Sequence, residues 1–366
     1  MFSQNNKISV RQMQTLLILD IFGAGIITLP RKASEYAGQD AWILIIIITA
    51  LAVGSAFLMA SAGRILPKDS FVALTSKLLS KPVGKIIGIL FACKLLFNCA
   101  LELRLFGEIV RQKLLSETPF FIVCAIMLAI SAYAAAKGYE TRARLAQILF
   151  PIIFIPIVFI FLLAIHDIDF TNLLPVFSVL QSHPLDPVGA ANIGAAFTGL
   201  ELILLVTPYA VRPRAVRGGL TRAVIFIGVF MVFITVITLS KFGAKDVTRQ
   251  LWPVLEMMDM TDLPGSFIER QDALIMSFWI ISNFAIVNGC LFFSCVLLKD
   301  TVGKGKHSTY IFICAAIILV IACALMKIEN VDRIMELIFK TLGLGLMVAL
   351  PIILLIAARI RKVGEK

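Results

Sequence analysis

Ten apolar stretches run through the chain, at 12–35, 41–63, 84–114, 118–136, 142–164, 188–210, 220–240, 272–298, 308–326 and 334–358. Each is long enough to cross a bilayer as a helix, which takes about 20 apolar residues. No other feature constrains the fold as strongly. Hydrocarbon offers no hydrogen-bond partners, so the main chain must satisfy itself, and a helix does so within a single segment. Composition agrees. Of the 366 residues 59% are hydrophobic and 16% charged, where a soluble domain carries roughly 25% charge. The expected class is an all-α membrane protein with ten transmembrane helices, embedded in the lipid bilayer.

A net charge of +11 would suggest nucleic acid in a soluble chain. Here it is read as basic loops on one membrane face, and no nucleic-acid partner is expected. Ten spans put both termini on one side. Loops on that side collect 21 Lys and Arg, including Lys137, Arg142 and Arg144, and the opposite loops collect 11. Both termini are therefore expected in the cytoplasm. The connection 166–187 has no Lys or Arg, as suits an external loop. In the longer connection 241–271, Val247, Leu251, Val254, Leu255 and Met258 fall on one helical face, predicting an amphipathic helix over the external mouth. The seven Cys lack C-x-x-C spacing and read as small core residues.

Within the first span, Leu19-Asp20-Ile21-Phe22-Gly23-Ala24-Gly25-Ile26-Ile27-Thr28-Leu29-Pro30 combines a carboxylate, a Gly-x-Gly pair and a proline. Helix breaks survive at membrane depth only where they are buried in protein or line a cavity, so the first helix is expected to break near Gly23–Gly25. Ten spans divide into five plus five, with halves at about 9–164 and 188–359. The sixth span then opens the second half, and there Gly194-Ala195-Ala196-Phe197-Thr198-Gly199-Leu200-Glu201 repeats the pattern of glycines beside a carboxylate. Paired Gly-interrupted segments at matching positions point to a transporter-type binding site. Close helix packing through small residues is the competing explanation.

The third span carries Lys94, Asn98, Glu102, Arg104 and Glu108, all within an arc of about 160° on a helix of 3.6 residues per turn. Insertion scales charge ~2.5–3.5 kcal/mol for a Lys, Arg or Asp at a helix centre, so this face must turn inward. Arg104 and Glu108, one turn apart, are read as a structural ion pair. Lys94 and Glu102, with Asn98 between them, and Asp20 in the first span are candidates for a proton path or gate. A purely structural role for the third-helix residues stays open. There is no H-E-x-x-H, P-loop or G-x-S-x-G pattern, so neither an enzyme, a metal site nor a cofactor is expected.

Ile8-Ser9-Val10-Arg11-Gln12, Asp20-Ile21-Phe22-Gly23 and Thr28-Leu29-Pro30-Arg31 resemble the spore germination permease family. So do Ala37-Gly38-Gln39-Asp40-Ala41-Trp42 and Glu102-Leu103-Arg104-Leu105-Phe106-Gly107-Glu108. These are the B subunits of nutrient-germinant receptors, within the amino acid–polyamine–organocation superfamily. The resemblance implies a LeuT-like five-plus-five inverted repeat with discontinuous helices 1 and 6. It also implies a subunit that binds a small nutrient, typically an amino acid, beside A and C partner subunits in the spore inner membrane. Carried over by position, Phe22, Gly23, Ala24, Gly25 and Ile26 would face Phe197, Thr198, Gly199 and Glu201 across the ligand pocket, with Asn98 at its border. Three readings follow: a germinant sensor with little net transport, a proton-coupled amino acid permease, and a scaffold whose site is vestigial.

Overall fold

The computed structural model describes residues 7–178, 187–260, 271–324 and 328–363. The first helix opens with a reciprocal cap. Ser9 Oγ accepts from the Gln12 N–H (3.3 Å) and the Gln12 side chain accepts from the Ser9 N–H (2.9 Å), satisfying two donors that a helix start leaves orphaned. From there α1 (Val10–Ile21) runs into the membrane and stops. Phe22 and Gly23 leave helical geometry, with Gly23 extended (φ −108°, ψ −158°). Immediately after them α2 (Ala24–Ala37) resumes. The break thus falls at the first glycine of the pair, and Gly25 lies inside the second half-helix. A 3-10 turn then leads into α3 (Ala41–Gly63).

A short α4 (Phe71–Leu78) lies between α3 and the long α5 (Lys81–Lys113), and α6 (Phe120–Ala136) and α7 (Tyr139–Ala164) follow. The sixth span is also broken. It comprises α8 (Pro187–Gly194), 3-10 turns at Ala195–Phe197 and Leu200–Leu202, and α9 (Ile203–Val206), with a bend of 56° between its parts. Next come α10 (Pro213–Arg249), α11 (Pro253–Asp259), α12 (Gln271–Val302), α13 (His307–Ala324), α14 (Ile328–Ile338) and α15 (Leu350–Ile360). Two π-helical turns, Phe339–Gly343 and Gly345–Ala349, join the last two.

Among the described residues, seven helices are apolar and long enough to span a membrane, and the bent pair makes eight. One of the seven, Gly25–Gly63, holds the second half of the first span and all of the second, and the 17-residue Phe120–Ala136 adds one more. The ten expected spans are thereby accounted for. The amphipathic helix expected across 247–258 is instead interrupted: α10 extends to Arg249, and α11 starts at Pro253, where proline suits a first helical position. Val254, Leu255 and Met258 are buried as the periodicity required, and Leu251, in the interruption, is exposed.

The packing fixes the position of the two breaks. The first broken span packs on α7, α10 and α12, and α5 packs along α12. On the face bearing the N-terminus the two broken spans are also tied to one another. The Ile8 N–H donates to Tyr209 O (2.8 Å), the Val211 N–H donates to Ile8 O (3.0 Å), and Lys7 Nζ donates to Pro208 O (2.6 Å). On the opposite face α11 covers the bundle, held by Lys113 at the end of α5, which pairs with Asp259 (2.9 Å) and Glu256 (3.5 Å).

Candidate functional site

Both chain breaks meet at one point. Gly199 adopts φ +103°, a region that favours glycine, and a Cβ there would lie 2.6 Å from the Asp20 carbonyl oxygen. On the far side of the breaks, a Cβ on Gly25 would lie 3.7 Å from Ala196 Cα. Glycine at 199 therefore lets two interrupted main chains touch at membrane depth, while at Gly25 the second chain lies at an ordinary van der Waals distance. Each half-helix exposes main-chain groups that have no partner one turn away. Phe22, Ile26, Phe197 and Thr198 are all buried around this contact. Ala24 begins α2, and its side chain lies outside the described residues.

Below the breaks, toward the N-terminal face, lie two buried ion pairs. Lys94 of α5 pairs with Glu201 in the 3-10 turn after the second break, and both side chains are at most 1% exposed. The other Glu201 oxygen accepts the Gly199 N–H at 3.2 Å, so this carboxylate braces the break as well as holding the lysine. Asp20, in the last turn of α1, pairs with Arg142 of α7. Arg142 Nη2 also donates to Ala285 O (3.4 Å), and the guanidinium carbon lies 6.0 and 5.9 Å from the ring centres of Tyr139 and Phe293, which pack edge to face on each other. Gly289 on α12 makes the room: a Cβ there would come within 2.6 Å of Asp20 Oδ1 and closer still to Arg142. Buried pairs of this kind pay a desolvation cost of several kcal/mol per ion, offset only by close, hydrogen-bonded geometry.

Arg142 was expected in a basic loop, and the structure corrects that placement. Its α-carbon lies near the start of α7, but its side chain is 4% exposed and turned into the bundle. A run of basic residues before an apolar span looks like a loop whether or not one member points inward. The third-helix residues divide among different tasks. Asn98 is buried, and its Nδ2 has no hydrogen-bond partner among the described residues. Glu102 Oε2 reaches to 3.3 Å from where a Cβ on Gly23 would be, so its carboxylate faces the first break. Arg104 and Glu108 pair at 3.3 Å, and Glu108 also accepts from Gln112 (2.8 Å). The Arg104 guanidinium lies 4.2 Å from the centre of the Phe120 ring.

Asn283 of α12 belongs with these residues, although its amide stood out little among the several polar side chains of that helix. It is fully buried, and neither its Oδ1 nor its Nδ2 has a partner among the described residues. Trp279 and Ile286, at i−4 and i+3 on the same helical face, both meet the break: Ile286 lies 3.0 Å from a Cβ on Gly23, and Trp279 lines a small cavity with Phe22 and Gly23. That cavity measures about 30 Å³ and is roofed by Leu255 and Met258 of α11. A second, of about 20 Å³, lies beside Gly25, Thr28, Asn192 and Ala196. Each has room for about one or two waters. Anything larger than a few waters enters only if the surrounding side chains move apart.

Two discontinuous helices crossing at mid-membrane, with buried charges beneath them, define a transporter-type helix bundle. Solved structures share the fold. MhsT in complex with L-phenylalanine superposes with a TM-score of 0.66 over 94% of this chain and 97% of its own, at 14% identity. Mhp1, a nucleobase-cation-symport-1 family transporter in a closed conformation with bromovinylhydantoin bound, gives 0.65 over 93% and 77%, also at 14% identity. The family itself is set by sequence. A family profile described as spore germination protein matches residues 7–331, and the chain belongs to that family. Spore germination protein YndE of Bacillus subtilis (strain 168) is 29% identical over the whole of both chains. Spore germination protein B2 of the same organism is 26% identical over 76% of this chain and 75% of its own. GerLB of Bacillus cereus is 25% identical over 98% and 96%. The fold is accordingly the LeuT-like five-plus-five arrangement, in a multi-pass membrane protein of the germination permease family.

Proposed function

We propose that the chain is the nutrient-binding subunit of a germinant receptor, taking a small zwitterion such as an amino acid between the two helix breaks and signalling by conformational change. The observation that carries this reading is the contact of Gly199 with the Asp20 main chain, directly above two buried ion pairs. The N-terminal end of α2 offers free N–H groups and the positive end of a helix dipole to a carboxylate. Asn98, Asn283 and Glu102 supply polar groups for the ammonium end, and Phe22, Ile26 and Trp279 an apolar wall. Phe22 to Ile26 and Phe197 to Glu201 are thus the proposed ligand contacts, with Asp20, Lys94 and Glu201 on the gate beneath. The repeat halves are placed at about 9–164 and 188–359. Both termini are assigned to the cytoplasm, the host membrane to the spore inner membrane, and the partners to A and C receptor subunits.

Thermal unfolding of the purified subunit against a panel of amino acids and sugars tests this. A ligand present at 100 times its Kd adds about 2.7 kcal/mol to stability, and the same ligand should do nothing for Gly25→Trp, which fills the space facing Ala196. A panel without any stabilising compound would remove the binding assignment.

A proton-coupled permease is the second reading. The buried Asp20, Glu102 and Glu201 favour it, because carboxylates at membrane depth commonly form proton relays. Concentrative uptake driven by a pH gradient separates it from the sensor.

A further inference from the structure

On the face bearing the N-terminus, away from the helix breaks, a cleft of about 900 Å³ opens between three elements. Its charged lining is Arg64 at the end of α3, Arg214 and Arg217 at the start of α10, and Lys362 just past α15. Among the described residues no carboxylate lines it, and none of the four cations has a carboxylate partner. Four like charges around one concavity repel one another, and that repulsion is relieved only by an anion or by salt.

Local geometry shows that these charges are placed there against preference. Arg214 and Arg217 occupy the first turns of α10, which runs on to a kink at Gly243, and there cations oppose the helix dipole. Arg217 is held by Phe57, whose ring centre lies 4.5 Å from the guanidinium carbon. Lys362 occupies a left-handed position, φ +51°, within a helix-ending motif in which the Val363 N–H donates to Ala358 O (3.0 Å) and the Lys362 N–H to Arg359 O (3.2 Å). Glycine is the usual residue at that position, and a lysine there accepts backbone strain while carrying its ammonium to the cleft. Beside it, Arg361 clamps the chain end to α4 by donating to Lys77 O (2.9 Å) and Leu79 O (2.7 Å), so the wall that carries Lys362 is fixed.

We propose that this cleft binds a phosphate-bearing anion, the headgroup of an anionic phospholipid or a soluble phosphate compound. The planar forks of Arg64, Arg214 and Arg217 suit phosphate oxygens bidentately. Its apolar rim, Ile65, Leu66 and Val363, suits the glycerol end of a lipid. A bound phosphate would join α3, α10 and the segment after α15, and so link the end of the tenth span to the helix that follows the second break.

The test uses the full chain in detergent, with phosphatidylglycerol, phosphatidylcholine and inorganic pyrophosphate as probes and native mass spectrometry and melting midpoint as readouts. Retention of phosphatidylglycerol over phosphatidylcholine is expected. Each surface Lys or Arg contributes about a fivefold change in affinity for anionic lipid, so Arg214→Gln should weaken retention roughly fivefold and Arg214→Gln/Arg217→Gln/Lys362→Gln on the order of 100-fold. Lys304→Gln/Lys306→Gln, on the loop between α12 and α13, should leave it unchanged. Binding of pyrophosphate in place of the lipid, lost in the same variants, assigns the cleft to a soluble phosphate. Equal retention of both lipids without pyrophosphate binding, or equal losses in the cleft and control variants, overturns the proposal. Arg214 is exposed, so the single variant keeps the test available if the triple variant folds poorly.

Discussion

Glycine 199 shows how much of the site rests on single atoms. An L-residue in its left-handed conformation costs roughly 1–2 kcal/mol, and an alanine Cβ would also meet the Asp20 carbonyl at 2.6 Å. Gly199→Ala should therefore lower the melting midpoint and weaken nutrient-linked stabilisation together. Gly218→Ala, where an added Cβ meets nothing within 4 Å, should be neutral or slightly stabilising, because alanine is the better helix former by ~1 kcal/mol. The Lys94–Glu201 pair makes a sharper case. Breaking a buried pair by removing one partner costs roughly 3–5 kcal/mol, because the survivor stays charged and dry. Lys94→Met and Glu201→Gln should each destabilise strongly, and the double variant should cost clearly less than their sum. Additive losses in a thermal double-mutant cycle would show that the two side chains do not depend on each other.

At the level of the helices, the seal below the site is Asp20 of α1 joined to Arg142 of α7 across Gly289 of α12. Three helices meet there, and the pair is the buried ionic tie on that face, beside the hydrogen bonds from Gln12 to Gln147 (3.1 Å) and from Gln14 to Gly219 O (3.0 Å). Arg142→Ala should loosen this seal and open a path from the N-terminal face. Cys290, adjacent to Gly289 and 1% exposed, is the built-in reporter. In a background with Cys93 and Cys323 replaced by Ser, a membrane-impermeant maleimide applied from that face should label Cys290 faster in Arg142→Ala than in the parent. Unchanged labelling would mean that the seal lies elsewhere. These helices also show what sequence could reveal. The breaks were legible because glycines and a carboxylate inside an apolar run violate the rules of a lipid-facing helix, and they did so twice at matching positions. The charged face of α5 was legible from its periodicity. Partners were not, since Lys94 meets Glu201 across 107 positions of chain only through the way α5 crosses the second break. Arg142 was hidden by its basic neighbours, and Asn283 by its ordinary company of polar residues on α12. Burial and pairing depend on the helix crossings, which no local pattern encodes.

For the whole molecule the question is whether the site cycles or reports. Transport requires the nutrient path to open to each face in turn, and on the N-terminal face that means parting both Lys94–Glu201 and Asp20–Arg142. Two desolvated pairs, each tying a broken span to α5 or α7, set a barrier that a weakly bound nutrient pays only in part, since a ligand shifts an equilibrium by no more than its differential affinity for the two states. On the opposite face, closure rests on α11, which packs through buried Val254, Leu255, Met257 and Met258 and whose ion pairs with Lys113 are partly exposed and therefore weak, so that no desolvated pair has to part there. The asymmetry favours opening and closing on the α11 side alone, the behaviour of a sensor. The subunit in proteoliposomes should then show saturable, nutrient-specific binding without concentrative uptake, with or without a pH gradient. Lys113→Ala should raise the rates of nutrient binding and release together and leave the lack of uptake unchanged. Uptake above the equilibrium level in the native protein would establish the permease reading instead. Uptake appearing only when Arg142 is replaced by Ala would show that this pair is what holds a transporter fold to a sensing role.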